Sequence, residues 1–281
     1  MIEKIYIPTI KRSDIQITYD NLPKELQSKV VFVVDPNERN LYKYQCEYLE
    51  IPDEFVGSWT QLAQTRKFIH QHAKGKKYAM IDDDLVFIKR NRKYFTGISD
   101  MENSKRKATP SEILLMFDTA SKWLDENDIG IVGLSDPSLP PSKKEFNNTV
   151  GIFGVYFIDG KKLLPFVDEL DTSIRVSEDL LFLFECLSRG INTRVFNEFL
   201  YDNKSATKLL KGKRPIWEEF SSSNGISNFQ TNEHVNAVKY IQQKYPEGLT
   251  VLFENGKWKF KKNWKKVYRP KINNDLTTYY D

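Results

Sequence analysis

Asp82, Asp83 and Asp84 stand in a row directly behind the apolar stretch Tyr78–Ile81. Adjacent carboxylates repel one another, so such a triplet is costly unless a cation or hydrogen-bond donors offset it. A divalent metal with oxygen ligands, Mn2+ or Mg2+, does this, and it also neutralises a diphosphate. If the stretch before it is a strand of an open α/β sheet, its carboxyl end delivers the three side chains to the crevice where such sheets bind ligands. Asp84 then holds the metal, and Asp82 and Asp83 meet a nucleotide or its ribose. The plainer alternative is a solvated acidic turn or a helix cap.

A second acidic group, Glu178 and Asp179, follows Ser177 and heads the apolar run Leu180–Leu187. The dipole of a helix favours acids in its first turn. A carboxylate placed there also reaches into a cleft, where it takes a proton from an acceptor hydroxyl. The alternative is plain capping, with Ser177 as N-cap.

These groups need a frame to hold them. Ile2–Ile7 alternates and Val30–Val34 is a continuous apolar run, so both read as strands, with a short helical or irregular stretch around Ile15–Leu26 between them. Thr60–Ala73 has helical spacing and is broken by Gly75. Tyr78–Ile81 is a short buried strand, and Leu85–Ile88 continues it. Arg90–Lys107 reads as a basic loop. Thr109-Pro110-Ser111-Glu112 is a helix start for Ile113–Asn127. Strands are expected at Ile129–Leu134, Val150–Ile158 and Thr193–Phe196, with a Pro-, Ser- and Lys-rich loop up to Asn148. Glu178–Ser188 is a helix stopped by Gly190, Lys204–Ser227 is polar and loop-like, and Asn232–Lys244 is a late helix. Asn255-Gly256 between Thr250–Glu254 and Lys257–Lys261 signals a hairpin. The class is α/β: a Rossmann-type, mostly parallel sheet flanked by helices, with a small antiparallel addition. Residues 1–250 form the catalytic domain, and 251–281 a basic, aromatic-rich hairpin and tail.

Composition narrows the setting. The two cysteines, Cys46 and Cys186, give neither a disulfide framework nor a zinc spacing. No run of about 18 apolar residues exists and no signal peptide is visible, so a cytoplasmic chain without a membrane span is expected. The net charge is +4, yet Lys257–Lys271 alone holds seven lysines and Arg269 with no acid, which leaves the remainder near −4. The basicity is therefore local.

In order and spacing the two acidic groups resemble those of GT-A glycosyltransferases. Asp82-Asp83-Asp84 is similar to their DxD-type motif, and Ser177-Glu178-Asp179 to their later xED motif. Ile5-Tyr6-Ile7-Pro8-Thr9 with Arg12 is similar to their first strand and nucleotide-contacting loop. Within that superfamily the opening and Arg66–Asp84 most resemble enzymes that phages associate with hypermodified DNA bases, which would place the chain in a host cytoplasm. The resemblance covers roughly residues 2–200. It implies a nucleotide-sugar donor, UDP by default, bound near Thr9, Arg12, Arg66, Asp82 and Asp83. It also implies a metal at Asp84, with His234 as a candidate further ligand. Asp179 would be the acceptor-activating base in an inverting reaction, with Glu178 as second choice. His70 and His72 read as structural.

Trp258, Phe260, Trp264 and Tyr268 interleave with the basic residues of the last segment. Lysines neutralise phosphates and aromatic faces stack on bases, so Lys257, Lys259, Lys261, Lys262, Lys265, Lys266 and Arg269 are candidate nucleic-acid contacts. Packed aromatics with lysines facing water are the alternative, and some of these lysines could instead hold a donor diphosphate. The expected acceptor is a hydroxymethylated pyrimidine in DNA. A glycan, lipid or protein acceptor, a nucleotidyltransferase and a non-catalytic DNA-binding module are the rival readings.

Overall fold

The computed structural model describes residues 1–90, 105–136, 142, 144–203 and 232–270. The expected polar loop 204–227, most of the basic loop after residue 90, and Lys271 lie outside the described residues.

The strands are β1 (Lys4–Pro8), β2 (Val30–Val34), β3 (Glu47–Glu50), β4 (Lys77–Ile81), β5 (Val86–Arg90), β6 (Lys105–Lys107), β7 (Ile129–Ser135), β8 (Phe146–Asn148), β9 (Val155–Asp159), β10 (Asn192–Asp202), β11 (Leu249–Glu254) and β12 (Lys257–Lys262). The helices are α1 (Ile17–Asn21), α2 (Lys24–Gln27), α3 (Gln61–His72), α4 (Pro110–Trp123), α5 (Gly160–Leu163), α6 (Glu178–Ser188), α7 (Asn232–Lys244) and α8 (Trp264–Val267). Ten strands form one sheet in the order β3-β2-β1-β4-β9-β7-β10-β5-β6, with β8 paired to β10; β11 and β12 form a separate hairpin. Seven of the ten run in one direction, and β5, β8 and β9 run against them.

Helices cover both faces of the sheet, as the unbroken apolar strands require. Along β2, Val30, Phe32 and Val34 enter one core cluster with α4, while Val31 and Val33 enter the other with Ile69 of α3 and Leu183 of α6. A third cluster joins Leu180, Leu181, Phe184 and Leu187 of α6 to Ala237, Val238 and Ile241 of α7, and to Leu249 and Val267. The hairpin thus shares its core with α6 and α7, and a boundary at residue 250 would cut β11.

Several expectations meet the structure closely. Thr109 and Glu112 form a capping box at the head of α4, with Pro110 in the first turn. Asn255 and Gly256 take φ of 53° and 73°, the pair of positive values a tight hairpin turn needs. Other elements differ. Pro23 divides the stretch after β1 into α1 and α2. The apolar run from Val150 is not all strand: Gly154 at φ 69° breaks it, and β9 begins at Val155. The edge strands β3 and β8 are short and partly exposed, and they lack the apolar signal that marks a buried strand. Lys105–Lys107, expected in a loop, pairs with β5, and Arg90 is 1% exposed at the end of β5. Arg106 is held bidentately by Glu112, which fixes that edge to α4.

Phe184 is fully buried and meets Tyr245 and Trp264 edge to face, at 5.5 and 5.0 Å between ring centroids. Phe184→Ala is expected to destabilise the protein by about 3–5 kcal/mol, as large-to-small changes of buried aromatics do. Urea denaturation of the two proteins checks this.

Candidate active site

One edge of the sheet collects the chemistry. The codirectional strands β1, β2, β4, β7 and β10 end there, bringing Thr9 and Arg12, Asp35, Asp82–Asp84, Asp136 and Tyr201 to the same side. The antiparallel β9 starts there, behind Gly154, whose carbonyl accepts the Asp82 amide at 2.9 Å. Glycine at 154 meets a φ of 69°, and a Cβ there would lie at ordinary contact distance from Asp82 Oδ2 and the Tyr201 ring, 3.5 and 3.6 Å.

The aspartate triplet divides its labour. β4 ends at Ile81, and Asp83 and Asp84 stand in the turn that follows. Asp83 turns inward with a side chain 9% exposed, against 36% for Asp82 and 23% for Asp84. Thr9 Oγ1 donates to Asp83 Oδ2 at 2.6 Å, and Arg12 Nη1 binds Asp83 Oδ1. Gln16 Nε2 donates to Thr9 Oγ1 and to the Arg12 carbonyl, both at 2.8 Å. Asp83, expected at the nucleotide, therefore fastens the β4 turn to the loop after β1, with both oxygens engaged. Thr9 and Arg12, expected at the donor, are the other half of that lock. Arg12 Nη1 also lies 3.4 Å from Asp84 Oδ2. Thr18 completes the turn: its hydroxyl binds the Asp82 carbonyl and accepts the Leu85 amide, the latter at 2.9 Å.

Arg66 joins the two acidic motifs. It reaches from α3 to donate through Nη2 to Asp82 Oδ1 at 3.2 Å and through Nη1 to the Tyr156 hydroxyl at 3.4 Å. Its Nε lies 3.5 Å from Glu178 Oε1, a charge contact without hydrogen-bond geometry. Burial drives the carboxyls up despite these cations: Asp82 to about 6 and Asp83 to about 7, with Asp84 also raised. Burial, reinforced by the neighbouring Asp179, raises Glu178 to about 7 against the pull of Arg66. The Arg66 guanidinium is itself stabilised as a cation by Glu178 and Asp82, which outweigh its burial.

Ser177 does not cap α6. It stands in the left-handed region (φ 61°, ψ 23°), whereas a side-chain cap needs extended backbone. Its hydroxyl instead meets His234 Nδ1 at 3.1 Å. Asp179 Oδ1 accepts the Leu180 amide at 2.7 Å, and the charge of Asp179 is felt by Asp82, Tyr156, Tyr201, His234 and Lys262. His234 packs on the Phe260 ring, and burial lowers its pKa. Among the described residues no three His, Cys, Asp or Glu side chains form a cluster able to hold a metal, so no ready-made cage contains Asp84 and His234. His70 is structural: it is buried, stacked on Phe182 at 4.6 Å and held neutral, its pKa lowered to about 3. His72 meets the Tyr6 hydroxyl at 3.0 Å.

The model of the family described as "TET-Associated Glycosyltransferase" matches residues 3–212, three quarters of the chain and both acidic motifs. The chain belongs to this family. Membership of the TET-associated glycosyltransferases makes it a glycosyltransferase and sets aside the nucleotidyltransferase and non-catalytic readings. A comparison with curated proteins finds no match. Among solved structures it is similar to S. aureus TarS 1–349, at 13% identity over 94% of this chain and 97% of that one, with a TM-score of 0.43. The same protein in complex with UDP matches at 13% identity over 88% and 82%, with a TM-score of 0.45. A UTP-bound UGPase from Acinetobacter baumannii matches at 8% identity over 86% and 99%, with a TM-score of 0.43. At those scores the assignment rests on the family match alone. No helix among the described residues is long and apolar enough to cross a membrane.

Sequence reasoning missed Tyr156, Tyr201, Asp136 and Gly154. Each belongs to a strand or strand end that reads as core or turn, and only the sheet order brings Tyr156, Tyr201 and Gly154 beside Asp82, with Asp136 beside Tyr201.

Arg66→Met would leave Asp82 and Glu178 crowded without their shared cation. It is expected to destabilise the protein by on the order of 3 kcal/mol near neutral pH, with part of the loss recovered in acid as those carboxyls protonate. Thermal melts at two pH values read both effects. For the wild type, Asp82, Asp83 and Glu178 titrate above the ordinary carboxylate range, so the folded state keeps protons that the unfolded chain has released. Their contribution to stability is full below about pH 4 and is lost as pH rises to about 7. Asp82→Asn should flatten part of that slope in metal-free melts between pH 4 and 8.

Proposed function

We propose that the chain transfers a sugar from a nucleoside diphosphate sugar, UDP by default, to the hydroxyl of a hydroxymethylated pyrimidine in DNA. The observation that carries this reading is the convergence of Asp82, Glu178 and Asp179 around Arg66, with Asp84 beside Arg12, at one sheet edge in a chain of a glycosyltransferase family.

Asp84 and Asp82 face the cleft and fit a divalent metal of the Mg2+ or Mn2+ kind. Such ions take one or two protein carboxylates and complete their shell from substrate phosphates, so no three-residue cage is needed. Bound there, the ion would offset the charge that develops on the leaving diphosphate. The lock formed by Thr9, Arg12 and Asp83 holds the two carboxylates in place. Asp179 takes the proton of the acceptor hydroxyl. It is preferred to Glu178, whose carboxylate is occupied by Arg66 and is drawn toward its protonated form by burial. His234 supports Ser177 directly before that pair, which suits a positioning role better than metal ligation.

The acceptor surface follows from β12. Lys257, Lys259 and Lys261 project from one side of the strand, and Lys265, Lys266 and Arg269 follow in and after α8. All six are exposed. Phe260 packs into the third core cluster and Trp258 against Phe253, so these rings are used in packing and the face meets nucleic acid through charge. Contacts of that kind go to the phosphate backbone and weaken with salt. A pyrimidine within a duplex is flipped out to reach Asp179.

The test incubates the protein with a panel of nucleotide sugars and Mn2+ and follows nucleoside diphosphate release, with and without DNA. Hydroxymethylated DNA should raise turnover in a salt-dependent way, and unmodified DNA should not. Asp84→Asn should remove turnover, and Asp179→Asn should lower transfer by about 10²- to 10⁴-fold while UDP still binds. Stimulation by a glycan, lipid or peptide acceptor, with none by modified DNA, would move the acceptor to that class.

A further inference from the structure

Strand β12 alternates two kinds of residue. Lys257, Lys259 and Lys261 share one side, while Trp258, Phe260 and Lys262 share the other. On the second side Trp258 lies 4.9 Å from the Phe253 ring, and Phe260 meets His234 at 5.2 Å and the third core cluster. The next position in that series is Lys262, which is exposed where Trp258 and Phe260 are half-buried. The Lys262 ammonium lies 5.0 Å from the centroid of the Phe153 ring, on the loop that ends at Gly154 beside Asp82. Its surroundings desolvate it and lower its pKa, against the attraction of Asp179 and Asp136. Lys259 on the other side is held by Glu254 at 2.7 Å, whereas no such ion pair holds Lys262 among the described residues.

Asp82, Asp83, Asp84 and Glu178 lie against the guanidiniums of Arg12 and Arg66, and the charges of Asp179 and Asp136 reach Lys262. Both guanidiniums are committed to carboxylates of the protein itself. A diphosphate entering this field brings further negative charge and needs a cation that is not already taken. We infer that Lys262 is a phosphate-binding residue of the donor site, its ammonium contacting an oxygen of the donor's diphosphate. The lysines of β12 then have two tasks: Lys257, Lys259 and Lys261 on one side meet the acceptor, and Lys262 on the other meets the donor. The hairpin, which lies beyond the family-matched residues 3–212, becomes part of the donor site. This rests on the nucleotide-sugar reading above.

Equilibrium titration of UDP and of uridine, in EDTA and in Mn2+, tests it on the wild type, Lys262→Met, Lys262→Arg and the remote surface variant Lys122→Met. Lys262→Met should weaken UDP about tenfold, as loss of one charge-assisted contact does, and leave uridine unchanged. Lys262→Arg should keep most of the UDP affinity, and Lys122→Met all of it. Wild-type UDP affinity in a folded Lys262→Met protein would overturn the inference while leaving the donor reading intact. So would an equal loss of UDP and uridine, which would mean that Lys262 shapes the site without touching phosphate. A wild type that binds no nucleoside diphosphate from a uridine, guanosine, adenosine and cytidine panel would overturn the donor reading and this inference together.

Discussion

Arg66 lies between carboxylates that the chain supplies almost a hundred residues apart, Asp82 behind β4 and Glu178 at the head of α6. Without a cation there, burial would bring like charges together in a setting that screens them poorly. The guanidinium suits the task because it is planar and permanently charged, and it presents several donors in different directions. It reaches Asp82, Tyr156 and Glu178 from one position on α3. Arg66 thereby links the turn behind β4 to the head of α6, and α3 carries it there because Ile69, with Ala73 just beyond, buries the same helix against the sheet.

Asp83 solves a related problem in the opposite way. Of the three aspartates in the turn behind β4, only Asp83 is buried. The middle one turns in and is satisfied by Thr9 and Arg12, which makes it the fastener of the turn that presents its two neighbours. The energy of that buried pair goes into fixing geometry. Asp82 and Asp84 are left with raised pKa values and only partial compensation, the condition in which a bound cation is most favoured.

The third core cluster extends this economy to the far end of the chain. α6 has two apolar sides, one against the sheet and the other against α7 and the hairpin. Whatever holds the hairpin therefore also holds the helix whose first turn carries Glu178 and Asp179. Ser177 shows the same coupling locally: it adopts an unfavourable left-handed backbone while its hydroxyl contacts His234 of α7.

The sequence by itself determined the element types and the two acidic motifs. Apolar runs such as Val30–Val34, the Thr109–Glu112 capping box, Gly190 behind α6 and Asn255-Gly256 are signals that act over a few residues, and each appears where local chemistry put it. Patterns that depend on neighbours far along the chain were not legible. β3 and β8 exist because longer strands offer them partners, and the break before β9 arises where the loop ending at Gly154 must accept the Asp82 amide. The tertiary structure alone decided which carboxylates face the cleft and which is locked away. It also decided that Arg66 spans both motifs, and that Lys262 differs from the lysines beside it. Charge and residue type are written in one dimension, but burial and alternation relative to a packed face are set only when the strands have chosen their neighbours.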